Sequence, residues 1–228
     1  MSDSSTIIRP DGRPSAGTLR PLSCELAPLS RSDGSALWKA GSTQVLAAVY
    51  GPMAPRKTSL EKGSAIMSII YADHREHEAL LEKVLEGCVC VDQYKRCVIE
   101  LVLQTINDDG SVLSCAMHAA VAALMDAGIC MRRLPVATSL VIGEDRLLLL
   151  DPDQEEERLL KTCLTLVSSN SNPDNLLGSV GGGQDLSLET VLACQDAASK
   201  AAPVVISFLR MAIEQKITRQ SKTLLSSN

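Results

Sequence analysis

Residues Cys97 to Met131 read CVIELVLQTINDDGSVLSCAMHAAVAALMDAGICM, and this stretch decides the fold. The run from Val98 to Leu103 is largely apolar and β-branched, which predicts a buried strand. A polar turn follows at 107–111, and a segment rich in Ala and Ser then predicts a helix that stops at Gly128. A helix without bulky side chains must lie close to its neighbours. We therefore expect it to be buried on more than one side.

The N-terminus of this predicted helix is a candidate anion site. Its first backbone N–H groups have no partner within the helix, and the helix dipole places positive charge there. Phosphate groups bind readily at such positions. The strand–turn–helix order therefore predicts a place for a phosphate beyond the end of the strand.

The composition is that of a globular protein with an aliphatic core. The 228 residues are 45% hydrophobic and 21% charged, with one Trp, one Phe and three Tyr. So few aromatic rings leave little for stacking on single-stranded bases. The formal net charge of −5 argues against a general polyanion binder, so a nucleic-acid contact must come from a local basic patch or from partner subunits. No apolar stretch predicts a membrane span.

Eight cysteines lie within apolar runs and form no CxxC pair. Together with the polar N-terminal residues MSDSSTIIRPDGR, this predicts no secretory leader, a reducing compartment and buried free thiols. His74, His77 and Cys88 lie near one another in sequence and raise the question of a zinc site. Because the paired-ligand spacing is missing, surface histidines and a core cysteine are favoured instead.

The most specific pattern lies in residues 7–52, which read IIRPDGRPSAGTLRPLSCELAPLSRSDGSALWKAGSTQVLAAVYGP. The matched positions are Asp11-Gly12-Arg13, Arg20, Arg31, Gly34-Ser35-Ala36-Leu37, Gly41-x-Thr43-x-Val45-Leu46 and Tyr50-Gly51-Pro52. Their spacing resembles the opening of the RNase PH family. That family comprises phosphorolytic 3′→5′ exoribonucleases and the ring subunits of the RNA exosome.

The resemblance implies an α/β (α+β) fold of the RNase PH type, with mixed, partly antiparallel sheets packed against helices. It covers a core of about residues 7–215 and predicts a single domain over 1–228 with a frayed tail at 216–228.

Apolar periodicity predicts the remaining elements. A helix is expected at 74–91, and strands are expected at 65–71, 136–142, 146–150, 160–167 and 176–180, the last two as a hairpin. A final helix is expected from about Ser187 to Lys200. Pro203 should kink or break it before a second helical stretch continues to about Lys216.

Active members of the family bind the attacking phosphate at the turn before the small-residue helix, which reads close to Asp-Gly-Gly-Thr-Arg-Thr. The aligned segment here is DGSVLS, residues 109–114. Leu113 replaces the arginine and Val112 its threonine neighbour, and an apolar side chain gives a dianion no charge compensation. Ser111 and Ser114 keep their hydroxyls. The resemblance thus implies a vestigial site with weak affinity for inorganic phosphate.

Active members also carry two acidic residues, six apart, which support general acid chemistry or hold a divalent metal. Counted from Asp151, the first falls on Glu157 and the second on Cys163, whose thiol is a poor Mg²⁺ ligand. With this second loss, the chain is expected to be a poor phosphorolytic enzyme and to require no cofactor.

The acidic run from Asp151 to Glu157 leaves an alternative open. Asp151, Asp153 and Glu157 are candidate catalytic residues and candidate ligands for Mg²⁺ or Mn²⁺, with the metal activating water in place of phosphate. A solvated acidic loop is favoured over this hydrolytic site.

Four basic residues are candidates for RNA binding through the backbone: Arg75, Lys83, Lys95 and Arg96. Arg96 matches an aromatic-Pro-Arg pattern of the family, while Lys95 replaces its proline. In the family this region lines the path of RNA. Plain exposed charges are an equal alternative for Arg96 and the favoured one for the other three.

The resemblance implies a non-catalytic or weakly active ring subunit of the exosome, supporting 3′→5′ processing and degradation of ribosomal and messenger RNA. The expected partners are RNA and other RNase PH-like exosome subunits, with no membrane, in the nucleus, nucleolus and cytoplasm. The alternative is a nuclease acting on RNA or DNA as a homodimer, and a weaker one is a stand-alone nucleic-acid-binding dimer. An isolated chain is expected to form a homodimer because an open sheet edge and apolar surface need cover.

Overall fold

The computed structural model describes residues 9, 11–54, 66–143, 147–160, 162–171, 175–183 and 186–226, except the side chains of residues 66 and 223–226. Its strands are β1 (Leu22–Leu26), β2 (Gly34–Ala40), β3 (Thr43–Met53), β4 (Ile66–Tyr71), β5 (Val98–Asn107), β6 (Pro135–Ile142), β7 (Leu148–Leu150), β8 (Thr162–Ser169) and β9 (Leu176–Gly182). Its helices are α1 (Arg75–Cys88), α2 (Val112–Asp126), α3 (Gln154–Leu159) and α4 (Leu188–Ser226), with a short 3-10 helix at Val91–Tyr94. The predicted mixed α/β fold is confirmed.

Five strands form the first sheet, in the order β1-β2-β3-β5-β4. All pairs are antiparallel except β4 and β5, which run parallel with Tyr71 opposite Leu103. Parallel neighbours need a crossover, and α1 lies within the connection that supplies it. Because β4 and β5 end at the same edge, the starts of α1 and α2 both lie at that edge.

Four strands form the second sheet, in the order β7-β6-β8-β9, and all of its pairs are antiparallel. The predicted hairpin is confirmed as β8 and β9, although residues 172–174 of its connection lie outside the described residues. The predicted strand at 146–150 is present as β7, and residue 146 also lies outside them.

Helix α2 lies between the two sheets, in contact with β2 and β3 on one side and β6 on the other. Every residue from Val112 to Leu124 is buried, and Gly128 has the predicted left-handed conformation with φ 71°. The approach is close: a Cβ on Gly34 would lie 2.3 Å from the backbone nitrogen of Ala127. The prediction of a helix buried on more than one side is confirmed.

Helix α4 is continuous from Leu188 to Ser226 with Pro203 inside it. The helix therefore does not break at Pro203, a kink there stays a prediction, and the predicted frayed tail is not found as far as Ser226. Proline in a helix costs about 3 kcal/mol, and burial outweighs this cost because the helix packs on the core through Ala198, Ala202, Val205 and Leu209. The tail at 216–228 is helical as far as the description extends. No Gly or Pro interrupts it, and Lys216 forms an ion pair with Asp126.

Helix α3 lies within the acidic run, where the sequence favoured a loop. The single domain over 1–228 stays a prediction. In the ranges given above, none of the helices has both the length and the hydropathy needed to cross a membrane.

Candidate functional site

The turn before α2 lies against the loop between β7 and α3. Gly110 has φ 81° and Ser111 has φ 53°, both left-handed. A Cβ on Gly110 would lie 2.5 Å from the carbonyl carbon of Asp153, so the two segments approach too closely for a side chain there. Ser111 Oγ donates to the carbonyl oxygen of Pro152 at 2.8 Å. The predicted phosphate turn and the predicted acidic residues are therefore neighbours.

Arg20 joins this turn to Asp151. Its guanidinium donates to the carbonyl oxygens of Asp109 at 2.7 Å and Gly110 at 3.2 Å, and to Asp151 Oδ1 at 2.8 Å. Its backbone N–H donates to Asp151 Oδ2 at 2.9 Å, so both carboxylate oxygens are engaged. Burial alone would raise the pKa of Asp151, but the hydrogen bonds and charge of Arg20 hold it below its ordinary value. Asp151 is thus a buried, ionised partner of Arg20.

A second buried ion pair lies beside the first. Glu156 accepts from Arg9 Nε at 2.7 Å and from Arg9 Nη2 at 2.5 Å, and Arg13 Nη2 lies 3.4 Å from it. Arg13 also donates to the carbonyl oxygen of Asp151 at 2.9 Å. We call the group Arg9, Arg13, Arg20, Asp151 and Glu156 the N-terminal clamp, because it fastens the segment before β1 to α3 and to the loop that precedes it.

Asp153 has a structural role as well. Its Oδ1 accepts the backbone N–H of Glu156 at 2.8 Å, and Glu156 Oε2 accepts the N–H of Asp153 at 3.1 Å. This reciprocal pair is a capping box at the start of α3. The set Asp151, Asp153 and Glu157 does not form a site for Mg²⁺ or Mn²⁺, because its carboxylates do not come together as a cluster of metal ligands in the part of the chain that the structure describes. Both oxygens of Asp151 are also bonded to Arg20. The favoured solvated loop was also wrong, since Asp151, Asp153 and Glu156 are buried.

Glu157 occupies the N-terminus of α2. Its Oε1 accepts the backbone N–H of Ser111 at 2.8 Å. Burial raises the pKa of Glu157, although the bond from Ser111 acts in the opposite direction. A carboxylate of the chain itself therefore satisfies a donor at the position where the sequence predicted a phosphate.

Beside Glu157 lies a cavity of about 260 Å³, which we call the cleft. Its walls include His74, His77, Asp108, Leu113, Glu157 and Cys163. Burial raises the pKa of Cys163 to about 11, so this side chain is a neutral thiol. The family's second carboxylate position thus contributes no charge to the cleft.

The two hydroxyls of the vestigial phosphate site are engaged by protein. Ser111 Oγ is bonded to Pro152 as described, and Ser114 Oγ lies 3.2 Å from the carbonyl oxygen of Ser111 and 2.6 Å from Ser139 Oγ. Leu113, in the place of the family's arginine, is only 5% exposed. The turn therefore offers an anion neither a free cation nor an uncommitted serine hydroxyl.

A cluster of ligand-type side chains lies at the start of α1, on the edge shared with α2. His74 Nδ1 is 3.4 Å from Glu76 Oε1, and His77 Nε2 is 3.9 Å from the same oxygen. The two imidazole rings stack with centroids 5.8 Å apart. Cys88 is buried at the other end of α1, so the zinc set considered from the sequence does not form. Glu76, which the sequence did not single out, is the third ligand-type side chain of the cluster instead.

The four candidate RNA-binding residues are exposed but fall into separate places. Arg75 lies at the start of α1, near the cleft, and Lys83 lies farther along the same helix. Lys95 and Arg96 precede β5, whereas the α2 turn follows it. Ten residues of strand at about 3.3 Å each therefore place them about 30 Å from the cleft.

Comparison with protein families gives two adjoining matches. Residues 18–130 match domain 1 of the 3′ exoribonuclease family (RNase PH), and residues 133–201 match domain 2 of the same family. The boundary falls between α2 and β6, so each part contains one of the two sheets.

Individual relatives agree with this assignment. An "Exosome complex exonuclease RRP46 homolog" of Arabidopsis thaliana is 37% identical over 173 residues, which cover 72% of each chain. The crystal structure of rice (Oryza sativa) Rrp46 superposes with a TM-score of 0.85 at 33% identity, over 90% of this chain and 100% of that one. An Archaeoglobus fulgidus exosome chain, solved with RNA bound to the active site, has the same fold, with a TM-score of 0.74 at 22% identity over 87% of this chain and 91% of that one.

Proposed function

The chain belongs to the RNase PH family of 3′ exoribonucleases, and from this premise we propose that it is a ring subunit of the RNA exosome. In this role it supports 3′→5′ RNA processing and degradation, including rRNA maturation and mRNA turnover, with little or no catalysis of its own. Its partners are RNA and other RNase PH-like subunits. Support comes from relatives named as exosome subunits, matched over 72% of the chain.

The observation that carries the non-catalytic role is the bond from the Ser111 N–H to Glu157. A phosphate at the α2 turn would meet this carboxylate without a compensating cation, because Leu113 is apolar and Arg20 is bonded to Asp151. Like charges 4 Å apart repel by about 4 kcal/mol at an effective dielectric constant near 20. Phosphate binding and phosphorolysis are therefore disfavoured, and no resident cofactor is needed for a structural role.

The decisive assay measures phosphate-dependent release of nucleoside diphosphates from single-stranded RNA by the purified chain. We expect a rate lower by about 10²–10³-fold than that of a family member with the arginine in this turn, since one charge clamp on a developing oxyanion contributes that much. A rate comparable with that of such a member would overturn the non-catalytic role.

We propose a homodimer for the isolated chain, formed by the family's side-by-side pairing. Apolar side chains are exposed along α4, at Leu188, Leu192, Val204, Met211 and Ile217. Such surface calls for cover by another subunit. Native mass spectrometry and size exclusion at micromolar concentration should give a dimer, and added ring partners should displace it. A monodisperse monomer would contradict this.

We propose that Lys95 and Arg96 contact RNA. Arg75 and Lys83, which lie nearer the cleft, are proposed as further contacts. Replacing Lys95 and Arg96 by alanine should weaken single-stranded RNA binding and reduce its salt dependence by about one to two units of slope. Lys222→Ala, an exposed lysine of α4, serves as the matched control. An unchanged slope in the double variant would place the RNA elsewhere.

A nuclease acting in its own right, on RNA or DNA, is the second candidate. Its support is that the Arabidopsis thaliana and rice relatives are named exonucleases, together with the open cleft beside Glu157. Degradation of RNA or DNA without added phosphate, with release of nucleoside monophosphates, would favour the nuclease.

The exosome role implies location in the nucleus, nucleolus and cytoplasm, and imaging of the tagged chain tests this.

A further inference from the structure

Three ligand-type side chains converge within four residues at the start of α1. The ligand atoms of His74, Glu76 and His77 all lie within 4.8 Å of one another. In a tetrahedral site with Zn–N bonds of about 2.0–2.1 Å, neighbouring ligand atoms are about 3.3 Å apart. The Glu76 side chain is 66% exposed, so it has room to rotate toward the two imidazoles.

The backbone that carries these side chains is held by its neighbours. The N–H of His74 donates to the carbonyl oxygen of Tyr71 at 3.1 Å, and Glu78 Oε1 accepts the N–H of Tyr71 at 2.7 Å. Asp73 Oδ2 accepts the N–H of Thr105 at 2.9 Å, which ties the segment to β5. Metal sites need ligands on rigid supports, and this edge supplies one.

We infer that His74, Glu76 and His77 bind a divalent first-row transition metal ion beside the cleft. Two imidazole nitrogens and one carboxylate oxygen suit Zn²⁺, Co²⁺ or Ni²⁺ better than Mg²⁺, which prefers oxygen ligands. This site is separate from Asp151 and Asp153, whose carboxylates are committed. It does not depend on the exosome role.

Charge around the cluster decides whether a cation is tolerated. The positive end of the α1 dipole and the neighbouring Arg75 oppose a bound cation. Against them stand the carboxylates of Asp73, Glu76 and Glu78 on the same segment, with Asp108 in the wall of the cleft. The net charge around the cluster is therefore negative and favours binding of a cation.

A metal ion bound at this position would face the cleft. His74 and His77 both line the cleft, and three protein ligands leave a coordination position for water or an anionic oxygen. The cleft would then regain a positive charge, supplied by metal instead of the family's arginine. Anionic ligands would bind through the ion.

The experiment is a titration of the full, metal-stripped chain with Co²⁺, followed by absorption spectroscopy, and with Zn²⁺, followed by calorimetry. We expect one equivalent bound and affinity at least about tenfold weaker in His74→Asn, which keeps an N-cap residue, and in His77→Gln. Glu82→Gln on the exposed face of α1 and Glu157→Gln in the cleft are controls that should bind as the unmodified chain does.

Unfolding midpoints separate lost ligation from lost folding. Without metal, the histidine variants should unfold at the same temperature as the unmodified chain. Zn²⁺ should stabilise the unmodified chain and the two controls more than it stabilises the histidine variants. Absence of saturable binding would overturn the inference. So would full affinity in a His74→Asn/His77→Gln double variant, or an equal loss in Glu157→Gln, which would move the ion to the acidic residues.

Discussion

The N-terminal clamp and the cleft take carboxylates from one short stretch, Asp151–Glu157, but surround them differently. In the clamp, Asp151 and Glu156 are buried and each is bonded to arginine. In the cleft, Glu157 is bonded to a backbone N–H and lies beside a thiol and two histidines. The surroundings of each carboxylate decide its role. A carboxylate that is buried against arginine stabilises the fold, whereas a carboxylate in the wall of an open cavity is accessible to a ligand.

The largest effect should come from breaking the clamp. Asp151→Asn keeps the size of the side chain but leaves Arg20, 3% exposed, without its counter-ion. Removing one partner of a buried ion pair typically costs about 3–5 kcal/mol. Urea unfolding at neutral pH measures this loss. Asp92→Asn is the matched control, since its pair with Arg132 is exposed and contributes at most about 1 kcal/mol.

The stability difference between the unmodified chain and Asp151→Asn should shrink as the pH falls. The pKa of Asp151 is lowered in the folded protein, below the value of about 3.9 for an unfolded Asp. Its contribution is therefore full above that value and is lost as the pH falls through the folded pKa. The stability difference between the unmodified chain and Glu157→Gln should change in the opposite direction, in favour of the unmodified chain at low pH, because the pKa of Glu157 is raised in the folded protein. Urea unfolding at pH 7, 5 and 3 tests both, and a constant Asp151 difference would contradict the buried ion pair.

A smaller loss is expected for Asp153→Ala, which removes the N-cap of α3 but no ion pair. Loss of such a cap costs about 0.5–2 kcal/mol. Asp153→Ser retains an oxygen acceptor and should recover most of the stability in the same urea experiment. Equal losses in both variants would mean that the Asp153 charge, and not the cap, stabilises the helix.

The smallest effect should come from Glu157→Gln. The amide oxygen still accepts from Ser111, and the lost charge at a helix N-terminus, worth about 0.3–1 kcal/mol, is offset by relief of carboxylate burial. Free energies of unfolding should agree within about 0.5 kcal/mol, as for the exposed control Glu155→Gln. A loss of stability as large as that of Asp151→Asn would mean that Glu157 stabilises the fold as the carboxylates of the clamp do.

The sequence predicted what local patterns determine. The strand at 98–107 and the helix at 112–126 follow from periodicity, small residues and a stop at Gly128. Helix α3 was readable too, since Asp153 followed three residues later by Glu156 is a capping-box spacing. The capping-box spacing was missed because the whole acidic run was interpreted as one loop or one metal site.

Other features could not be predicted because their causes are distant in sequence. Arg20 and Asp151 are 131 residues apart, and the sequence around each residue contains no pattern that predicts their pairing. The continuity of α4 through Pro203 depends on burial against both sheets. The grouping of His74 and His77 with Glu76 requires side-chain directions that helical spacing does not fix.

The N-terminal clamp also sets an order of events during synthesis on the ribosome. Arg9 is made early, but its partner Glu156 follows 147 residues later. At about 5–20 residues per second, the arginine waits roughly 7–30 s for its carboxylate. The strands of the first sheet and α2 are all translated within that interval. The segment before β1 therefore cannot be fastened until every strand of the first sheet and α2 have been translated.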